Sequence, residues 1–235
     1  MTLFLVGLGV SLDITMAGLD ALKQSDEVYV ECYTNPIDNK KITELERLIN
    51  KPITQLKREQ LESSFLVNKA KNSKVCILVS GDPLTATTHI TLVLEARQKE
   101  VDVEVIHNSS IYSVAPARSG LQIYKFGKTA SLVNPRPNYK PISSLDIIKE
   151  NLVRNLHTLV LLDTEPEPMD AKIALEMLSE FEMAIVLSKV GHVDEKISFG
   201  KIKDLKEKYL GNTPFSIIIP AKFHDIEEEY LNIFK

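Results

Sequence analysis

The chain has 235 residues, of which 44% are apolar and 26% are charged, and this composition excludes a disordered or fibrous protein. Its 28 lysine and arginine residues against 32 aspartate and glutamate residues give a net charge of −4 with no extended basic run, so we expect no nucleic-acid groove. No apolar stretch approaches the ~20 residues that cross a bilayer, and no basic residue precedes the apolar N-terminal run, so we expect neither a membrane span nor a secretory signal.

Cysteine and histidine usage indicates no special chemistry. Cys32 and Cys76 are isolated in the sequence, and Cys76 lies inside the apolar run 75–79. Both are typical of small core residues in a reducing cytoplasm; a disulfide or a reactive thiol is the alternative. The five histidines show no metal-ligand spacing, so we expect no metal site and a cytoplasmic protein.

Short β-rich runs alternate with helical periods along the chain. In the first half, the predicted strands are residues 3–6, 27–33, 74–80 and 101–107, and the predicted helices are residues 15–24, 41–49, 59–71 and 85–98. In the second half, the predicted strands are residues 128–133, 157–163, 183–190 and 215–220, with helices that start at Ser143 and span 170–181. Apolar strands separated by helices are typical of mostly parallel sheets in α/β proteins. We therefore predict two α/β domains, residues 1–120 and 121–235, since the length fits two units better than one large sheet.

The first candidate binding loop is Gly7-Leu8-Gly9, which follows the opening strand. A dinucleotide-binding fold places G-x-G-x-x-G there, with an acidic residue about 20 positions further on, where this chain has Glu31. Leu12 stands in the place of the third glycine. A plain tight turn and a cofactor loop both fit this pattern.

The second candidate is Gly81-Asp82-Pro83-Leu84, which closes an apolar strand where ligands bind in open α/β sheets. Gly81 lets the backbone approach a ligand, and Pro83 removes a competing donor. Asp82 can accept hydrogen bonds from a ribose or from an amino group. The alternative is that Asp82 caps the helix that follows.

Polar or flexible residues follow other predicted strands as well. Residues 107–113 offer hydroxyls and backbone amides at a helix start, which suit polar ligand atoms or serve as caps. Asp163 and Gly191 mark strand ends in the second half, so we expect a ligand bound between two lobes. The sequence shows no Ser/His/Asp arrangement, P-loop or pair of catalytic carboxylates, so an enzyme of this sequence is expected to work by positioning its reactants.

Six segments of the sequence form a recognisable set: residues 4–9 (FLVGLG), 81–89 (GDPL with ATTH), 110–113 (SIYS), 120–127 (GLQIYKFG), 157–163 (HTL with LD) and 227–231 (EEEYL). Together they resemble the tetrapyrrole-methylase-like family of S-adenosylmethionine-dependent methyltransferases, and within it the branch that modifies translation elongation factor 2. The resemblance covers the whole chain. The GDP loop is shared with corrin and sirohaem methylases, whereas the YKFG, HTL with LD, and closing segments are more specific to the branch.

The resemblance implies two α/β/α domains with S-adenosylmethionine in the cleft between them, and a homodimer. The implied substrate is a histidine of elongation factor 2 that carries a 3-amino-3-carboxypropyl group, methylated on its way to diphthamide. Archaeal-type relatives stop at the trimethylated amine, whereas eukaryotic ones also methylate the carboxylate. The compact chain is more similar to the archaeal type.

Matched position by position, the resemblance implies cofactor contacts at Val10, Asp82, Thr85, Ser110, Ile111, Leu162, Val190 and Phe215. Several of these are apolar, which suits backbone contacts and an apolar adenine slot. The resemblance identifies no catalytic group. Phe215 replaces the histidine usual in the family, and only a main-chain contact survives that change. Lys189, the pair Gly191-His192 and Arg136 are further departures, which bear on the substrate more than on the cofactor.

The sequence leaves open the roles of two basic residues, and it leaves open two alternative functions for the protein. Arg136 and Lys125 are candidates for attracting the substrate carboxylate, and a solvated surface charge is the alternative for each. A corrin or sirohaem methylase would use the same cofactor site for a tetrapyrrole. A non-enzymatic nucleotide-binding regulator would bind its ligand without turnover, although the missing third glycine counts against a dinucleotide.

Overall fold

The computed structural model of the chain describes residues 1–33, 35–135 and 142–235. The chain forms two compact units, Met1–Ser110 and Ile111–Lys235. The first unit ends at Ser110, ten residues before the domain boundary that we expect near Gly120. The reason is that the helix that begins at Ile111 packs in an apolar cluster of the second unit.

The first unit is built on a parallel sheet. Its described residues form five strands in the order β3-β2-β4-β1-β5, and every pairing between them is parallel. The elements in chain order are β1 (Thr2–Gly7), α1 (Met16–Gln24), β2 (Glu27–Val30), α2 (Asn39–Ile49), β3 (Ile53–Gln55), α3 (Arg58–Leu61), α4 (Phe65–Ala70), β4 (Val75–Val79), α5 (Ile90–Gln98) and β5 (Asp102–Ile106).

Helices cover both faces of this sheet. Because side chains alternate along a strand, Leu3 and Leu5 of β1 pack with α4 and α5, whereas Phe4 and Val6 pack with α1 and α2. The inner strand β4 is buried along its whole length, as a strand covered on both faces must be.

The second unit is built on a mixed sheet. Within the described residues its strand order is β6-β7-β10-β8-β9. The strands β6 and β7 are parallel, but β10 is antiparallel to both β7 and β8, and β9 is antiparallel to β8. This sheet is therefore less parallel than the sequence pattern predicts. The elements are α6 (Ile111–Ser119), β6 (Ala130–Leu132), α7 (Ile142–Val153), β7 (Thr158–Leu162), α8 (Ala171–Met177), β8 (Met183–Ser188), β9 (Lys196–Lys201), α9 (Ile202–Leu205), β10 (Phe215–Ile219) and α10 (Asp225–Leu231), with 3₁₀ turns at Ile123–Lys125 and Asn232–Phe234.

Helices also lie on both faces of the second sheet. Ile217 and Ile219 of β10 pack with α7, α8 and α9, whereas Ile218 between them packs with α6 and α10. Each unit therefore has the α/β/α layering that the resemblance implies.

Two predicted helices differ from the structure. The helix expected over 85–98 begins only at Ile90, because residues 81–89 form a compact loop held by side-chain hydrogen bonds. The helix expected over 59–71 is divided into α3 and α4.

The buried thiol of Cys76 lies in the middle of β4, and both cysteines are free. Burial raises the pKa of the Cys76 thiol, which keeps it from becoming a thiolate nucleophile at neutral pH. This placement agrees with the core position expected for Cys76.

No helix in the described ranges combines the length and the apolar character that a bilayer span requires.

Candidate functional site

The loops after β1, β4 and β5 lie at one edge of the first unit, because parallel strands end at the same edge. Gly9 and Gly81 join the first two loops, since the N–H of each donates to the carbonyl of the other at 3.0 Å. Both have a positive φ, 66° and 75°, in the region that favours glycine. The two glycine-containing loops that the sequence singles out separately are thus one structure.

The surroundings of Gly7, Gly81 and Leu12 explain the glycine pattern at this edge. A Cβ on Gly7 would lie 2.6 Å from the carbonyl oxygen of Gly81, so Gly7 permits the close approach of the two loops. A Cβ on Gly81 would meet nothing nearer than the carbonyl oxygen of Ser109 at 3.9 Å, and this open space allows a ligand to approach the backbone. Leu12 is buried in the core with a φ of 57°, so the dinucleotide pattern is not completed.

The buried carboxylate of Asp82 holds the loops together. Its Oδ1 accepts hydrogen bonds from the N–H of Leu84 and the hydroxyl of Thr85, both at 3.0 Å. Its Oδ2 pairs with the ring Nδ1 of His107 at 2.7 Å and accepts from the N–H of Asn108 at 3.3 Å. Burial disfavours the charge of Asp82, but these hydrogen bonds outweigh it and hold the pKa of the carboxyl below its usual value.

Asp82 is therefore a loop-organising residue and not a helix cap, because α5 begins only at Ile90. Its four partners occupy the roughly four lone-pair positions of a carboxylate. Of these partners, His107 is the one whose side chain is exposed.

Asn108 and Ser109 fasten the loop after β5 to the loop after β1. The side-chain amide of Asn108 donates to the carbonyls of Gly7 at 3.0 Å and Asp13 at 2.8 Å. The hydroxyl of Ser109 accepts from the N–H of Val10 at 3.2 Å. The structure thus brings to one edge the four first-unit residues that the resemblance assigns to the cofactor, Val10, Asp82, Thr85 and Ser110.

Three further assigned residues lie at one edge of the second sheet. Leu162 ends β7, Val190 follows β8, and Phe215 begins β10 opposite Ser188. Because β10 is antiparallel to both neighbours, it starts where they end. Leu162 and Phe215 pack on one face of the sheet. Val190 packs on the other face with Ile111 of α6, the fourth assigned residue of this unit. Within this unit, these four side chains therefore do not form one apolar slot.

The departures from the family pattern are accommodated locally. The ring of Phe215 is buried and lines a cavity of about 300 Å³ together with Leu210 and Gly211. Lys189 has a positive φ of 45°, and its ammonium group lies 2.7 Å from the carboxylate of Asp194 at the surface.

The three segments that are more specific to the branch meet in one buried cluster of the second unit. Nζ of Lys125 lies 2.6 Å from Oε2 of Glu227, and the two side chains are only 9% and 0% exposed. Lys125 also donates to the carbonyl of Lys222 at 2.9 Å. Glu227 accepts from the backbone N–H groups of Gln122 at 3.0 Å and His224 at 2.8 Å.

The third segment contributes His157 to this cluster. Its Nδ1 accepts from the N–H of Ala221 at 2.9 Å, and its Nε2 lies 3.7 Å from Oε1 of Glu227. Burial, assisted by the charge of Lys125, lowers the pKa of His157 to about 4. Burial also opposes the charge of Glu227, but the N–H of Gln122 and the ammonium of Lys125 lower its pKa to about 2.

Both expectations for Lys125 are therefore wrong. It is neither a solvated surface charge nor accessible to a substrate carboxylate, because its ammonium group is buried against Glu227.

Arg136 and most of the loop 134–139 lie outside the described residues. Among the residues that are described, no group of three or more His, Cys, Asp or Glu side chains is arranged to hold a metal ion.

Comparison with known proteins defines the class. Residues 2–206 match the family described as Tetrapyrrole (Corrin/Porphyrin) Methylases. The chain belongs to this family, and it is an enzyme of the methyltransferase class.

Its curated relatives place it among the diphthine synthases. The diphthine synthase of Methanococcus maripaludis is 38% identical over 97% of this chain and 97% of its own length, and that of Staphylothermus marinus is 40% identical over 98% and 92%. A crystal structure of a diphthine synthase superposes with a TM-score of 0.91 at 34% identity, covering 100% of this chain and 96% of that one. A putative diphthine synthase from Entamoeba histolytica gives a TM-score of 0.89 at 33% identity, covering 100% and 98%.

These comparisons confirm the predicted family, the α/β fold and the enzyme class, and they favour an enzyme over a non-enzymatic regulator. The archaeal origin of the curated relatives fits the expected archaeal type.

Proposed function

We propose that this chain transfers methyl groups from S-adenosylmethionine to the amino group of a 3-amino-3-carboxypropyl-histidine in translation elongation factor 2, forming diphthine for diphthamide biosynthesis. The observation that carries the proposal is the likeness to diphthine synthases, at 38% identity over 97% of the chain. The segments around Lys125, His157 and Glu227, on which the resemblance also rests, are buried together in the second unit.

The proposed cofactor contacts are Val10, Asp82, Thr85, Ser110, Ile111, Leu162, Val190 and Phe215. In the first unit, support comes from the open space beside Gly81, which a Cβ would fill. Carboxylate and hydroxyl oxygens border this edge, and they suit ribose hydroxyls and an ammonium group. In the second unit, the strand ends offer main-chain groups, and a main-chain contact tolerates phenylalanine at position 215.

S-adenosylmethionine supplies an electrophilic methyl carbon on a sulfonium sulfur. The task of the chain is then to hold an unprotonated amine in line with that carbon, and such alignment lowers a barrier by several kcal/mol without a nucleophilic side chain. The first-unit edge suits this task because backbone and side-chain hydrogen bonds connect its three loops, among them the Gly9–Gly81 pair and the contact between Asp82 and His107.

The remaining parts of the proposal concern partners and compartment. We assign elongation factor 2 as the protein substrate, a homodimer as the working form and the cytoplasm as the location, all supported by the family resemblance. Light scattering coupled to gel filtration measures the mass in solution, and a mass of about one chain would contradict the homodimer.

Labelled S-adenosylmethionine tests the reaction. We expect label to be transferred to elongation factor 2 that carries the 3-amino-3-carboxypropyl group, and none to factor with an unmodified histidine. A corrinoid or sirohaem precursor serves as the competing substrate. Transfer of label to the tetrapyrrole, with none to elongation factor 2, would replace this proposal by a tetrapyrrole methylase.

A further inference from the structure

The proposed reaction requires a free amine, because the lone pair that attacks the methyl carbon is occupied by a proton in an ammonium ion. Simple α-amino groups stay largely protonated until the pH exceeds neutrality. A side chain that takes this proton raises the reactive fraction of the substrate.

His107 is placed to take such a proton. It directly follows Ile106, the last residue of β5, and so lies at the same edge as the bridge between Gly9 and Gly81. Its Nδ1 lies 2.7 Å from Oδ2 of Asp82, and its side chain is 65% exposed whereas that of Asp82 is 9% exposed. One side of the imidazole is fixed on a buried carboxylate, and the other side is open.

The contact with Asp82 sets which ring nitrogen carries the proton. Despite its burial, Asp82 is held as a carboxylate by its hydrogen bonds, and a carboxylate oxygen only accepts. Nδ1 of His107 must therefore donate, and the neutral ring keeps its lone pair on Nε2. Nε2 makes no hydrogen bond to any residue in the described ranges.

We propose that His107 is the proton acceptor that activates the substrate amine, an inference that rests on the proposed function. An N–H bond of the ammonium breaks, the proton binds Nε2, and the amine keeps the electron pair. The ring becomes an imidazolium ion, whose charge the carboxylate of Asp82 offsets. The exposed ring then returns the proton to solvent, so it can serve again when a methylated amine must lose its next proton.

His107 is an accessible base at this edge. Within the described ranges, the charged side chain that pairs with the imidazole is Asp82; Asp13 is exposed and accepts from Asn108 through its main-chain carbonyl. His89 belongs to the loop after β4, but it is 2% exposed, and its Nδ1 lies 2.9 Å from the carbonyl oxygen of Pro83. A protein substrate can reach His107 and cannot reach His89.

Two substitutions separate the chemical role from a structural one. In His107→Asn, the side-chain amide can still donate to Asp82, but no Nε2 is present. We expect unchanged S-adenosylmethionine affinity by calorimetry, and a kcat/KM lower by about tenfold at pH 7, because an α-amino group with a pKa of about 8 is unprotonated in only about one molecule in ten at that pH. The loss shrinks as the pH rises, because the amine then loses its proton to solvent. Added imidazole restores activity to His107→Ala.

His224→Asn is the matched control, because His224 is exposed at the start of α10 and asparagine is a good N-cap. We expect it to keep the wild-type pH profile. In the ligand-free protein, ¹⁵N NMR of the neutral His107 ring is expected to show the proton on Nδ1.

The outcomes distinguish this inference from the proposed function. An active wild type with an equally active His107→Asn overturns the role of His107 and leaves the methyl transfer intact. A loss of the same size at every pH, or a neutral ring with its proton on Nε2, also overturns that role. A wild type that transfers no methyl group to modified elongation factor 2 contradicts the proposed function itself.

Discussion

The ammonium group of Lys125 lies 2.6 Å from a carboxylate oxygen of Glu227, in a part of the second unit where neither group meets solvent. The pair joins the 3₁₀ turn Ile123–Lys125 to α10, two elements that are far apart in the chain. Backbone N–H groups of Gln122 and His224 complete the coordination of the carboxylate. A buried ion pair of this kind costs much when one partner is lost, because the other charge stays buried alone.

Lys125→Met is therefore expected to destabilise the protein by about 3–5 kcal/mol. The double variant Lys125→Met with Glu227→Gln is expected to be less destabilised than the single one, because no uncompensated charge remains. Lys149→Met removes one partner of an exposed ion pair with Glu180 and is expected to leave the stability almost unchanged, because solvent screens that pair. Chemical denaturation measures all three, and equal losses for Lys125→Met and Lys149→Met would contradict the buried pair.

The pH dependence of stability is expected to depend on His157. Its folded pKa of about 4 lies below the ordinary 6.5, so between these values the unfolded chain binds a proton that the folded chain does not. Stability is therefore lost as the pH falls from about 6.5 to about 4, by on the order of 3 kcal/mol. Glu227 causes a further loss of stability only at lower pH, between its ordinary pKa of 4.5 and its folded pKa of about 2.

His157→Gln isolates this contribution. We expect the stability advantage of the wild type over the variant to shrink as the pH is lowered from 7 to about 4. Only the wild type loses the contribution that the lowered pKa of His157 makes to the free energy of unfolding. Denaturation curves at several pH values measure the difference. A difference that stays constant over this range would show that His157 titrates alike in both states.

Gly127→Ala is expected to destabilise the second unit by about 1–3 kcal/mol, because its Cβ would overlap the side-chain amide of Asn151. Asn151 cannot move freely, since it is bonded to both backbone groups of Lys128 and to the hydroxyl of Thr158. Gly200→Ala in β9 is the control: its Cβ would meet nothing nearer than Leu205 at 3.8 Å, and the change is expected to be neutral or slightly stabilising. Melting temperatures of the two variants check the contrast.

Asp82→Asn is expected to weaken S-adenosylmethionine binding about tenfold to a hundredfold. The two carboxylate oxygens of Asp82 face the N–H of Leu84 and the ring of His107. In asparagine, one of these oxygens is replaced by an NH₂ group, which donates and cannot accept, so the contact with either His107 or Leu84 is lost. Asp102→Asn, at the opposite end of β5 and exposed, is the control and is expected to bind as the wild type does. Calorimetric titration measures both, and an unchanged affinity for Asp82→Asn would remove Asp82 from the proposed cofactor site.

The sequence predicts where the candidate site of the first unit lies, but it does not predict which side chains hydrogen-bond there. A glycine, an aspartate and a proline directly after an apolar run mark a strand end, so Gly81 and Asp82 can be found from the sequence. The contact between Asp82 and His107 joins residues 25 positions apart and depends on β1 lying between β4 and β5. The segment after β5 is predictable as polar, but nothing in it indicates which side chain the carboxylate selects.

The second unit shows the same limit. An apolar run does not encode strand direction, so the antiparallel placement of β10 between β7 and β8 is not predictable from composition. β9 lacks a long apolar run, because it begins and ends with lysine and contains Gly200. Lys125 is expected at the surface because lysines are rarely buried, and its partner Glu227 lies 102 residues further along the chain.

Mass spectrometry of the histidine-containing peptide of elongation factor 2, after incubation with this chain and S-adenosylmethionine, tests the proposed methyl transfer at the level of the product. We predict methyl groups on the amine nitrogen of the 3-amino-3-carboxypropyl group, and none on a peptide that lacks this group. A modified peptide that stays unmethylated, under conditions in which the diphthine synthase of Methanococcus maripaludis methylates it, would contradict the proposed function.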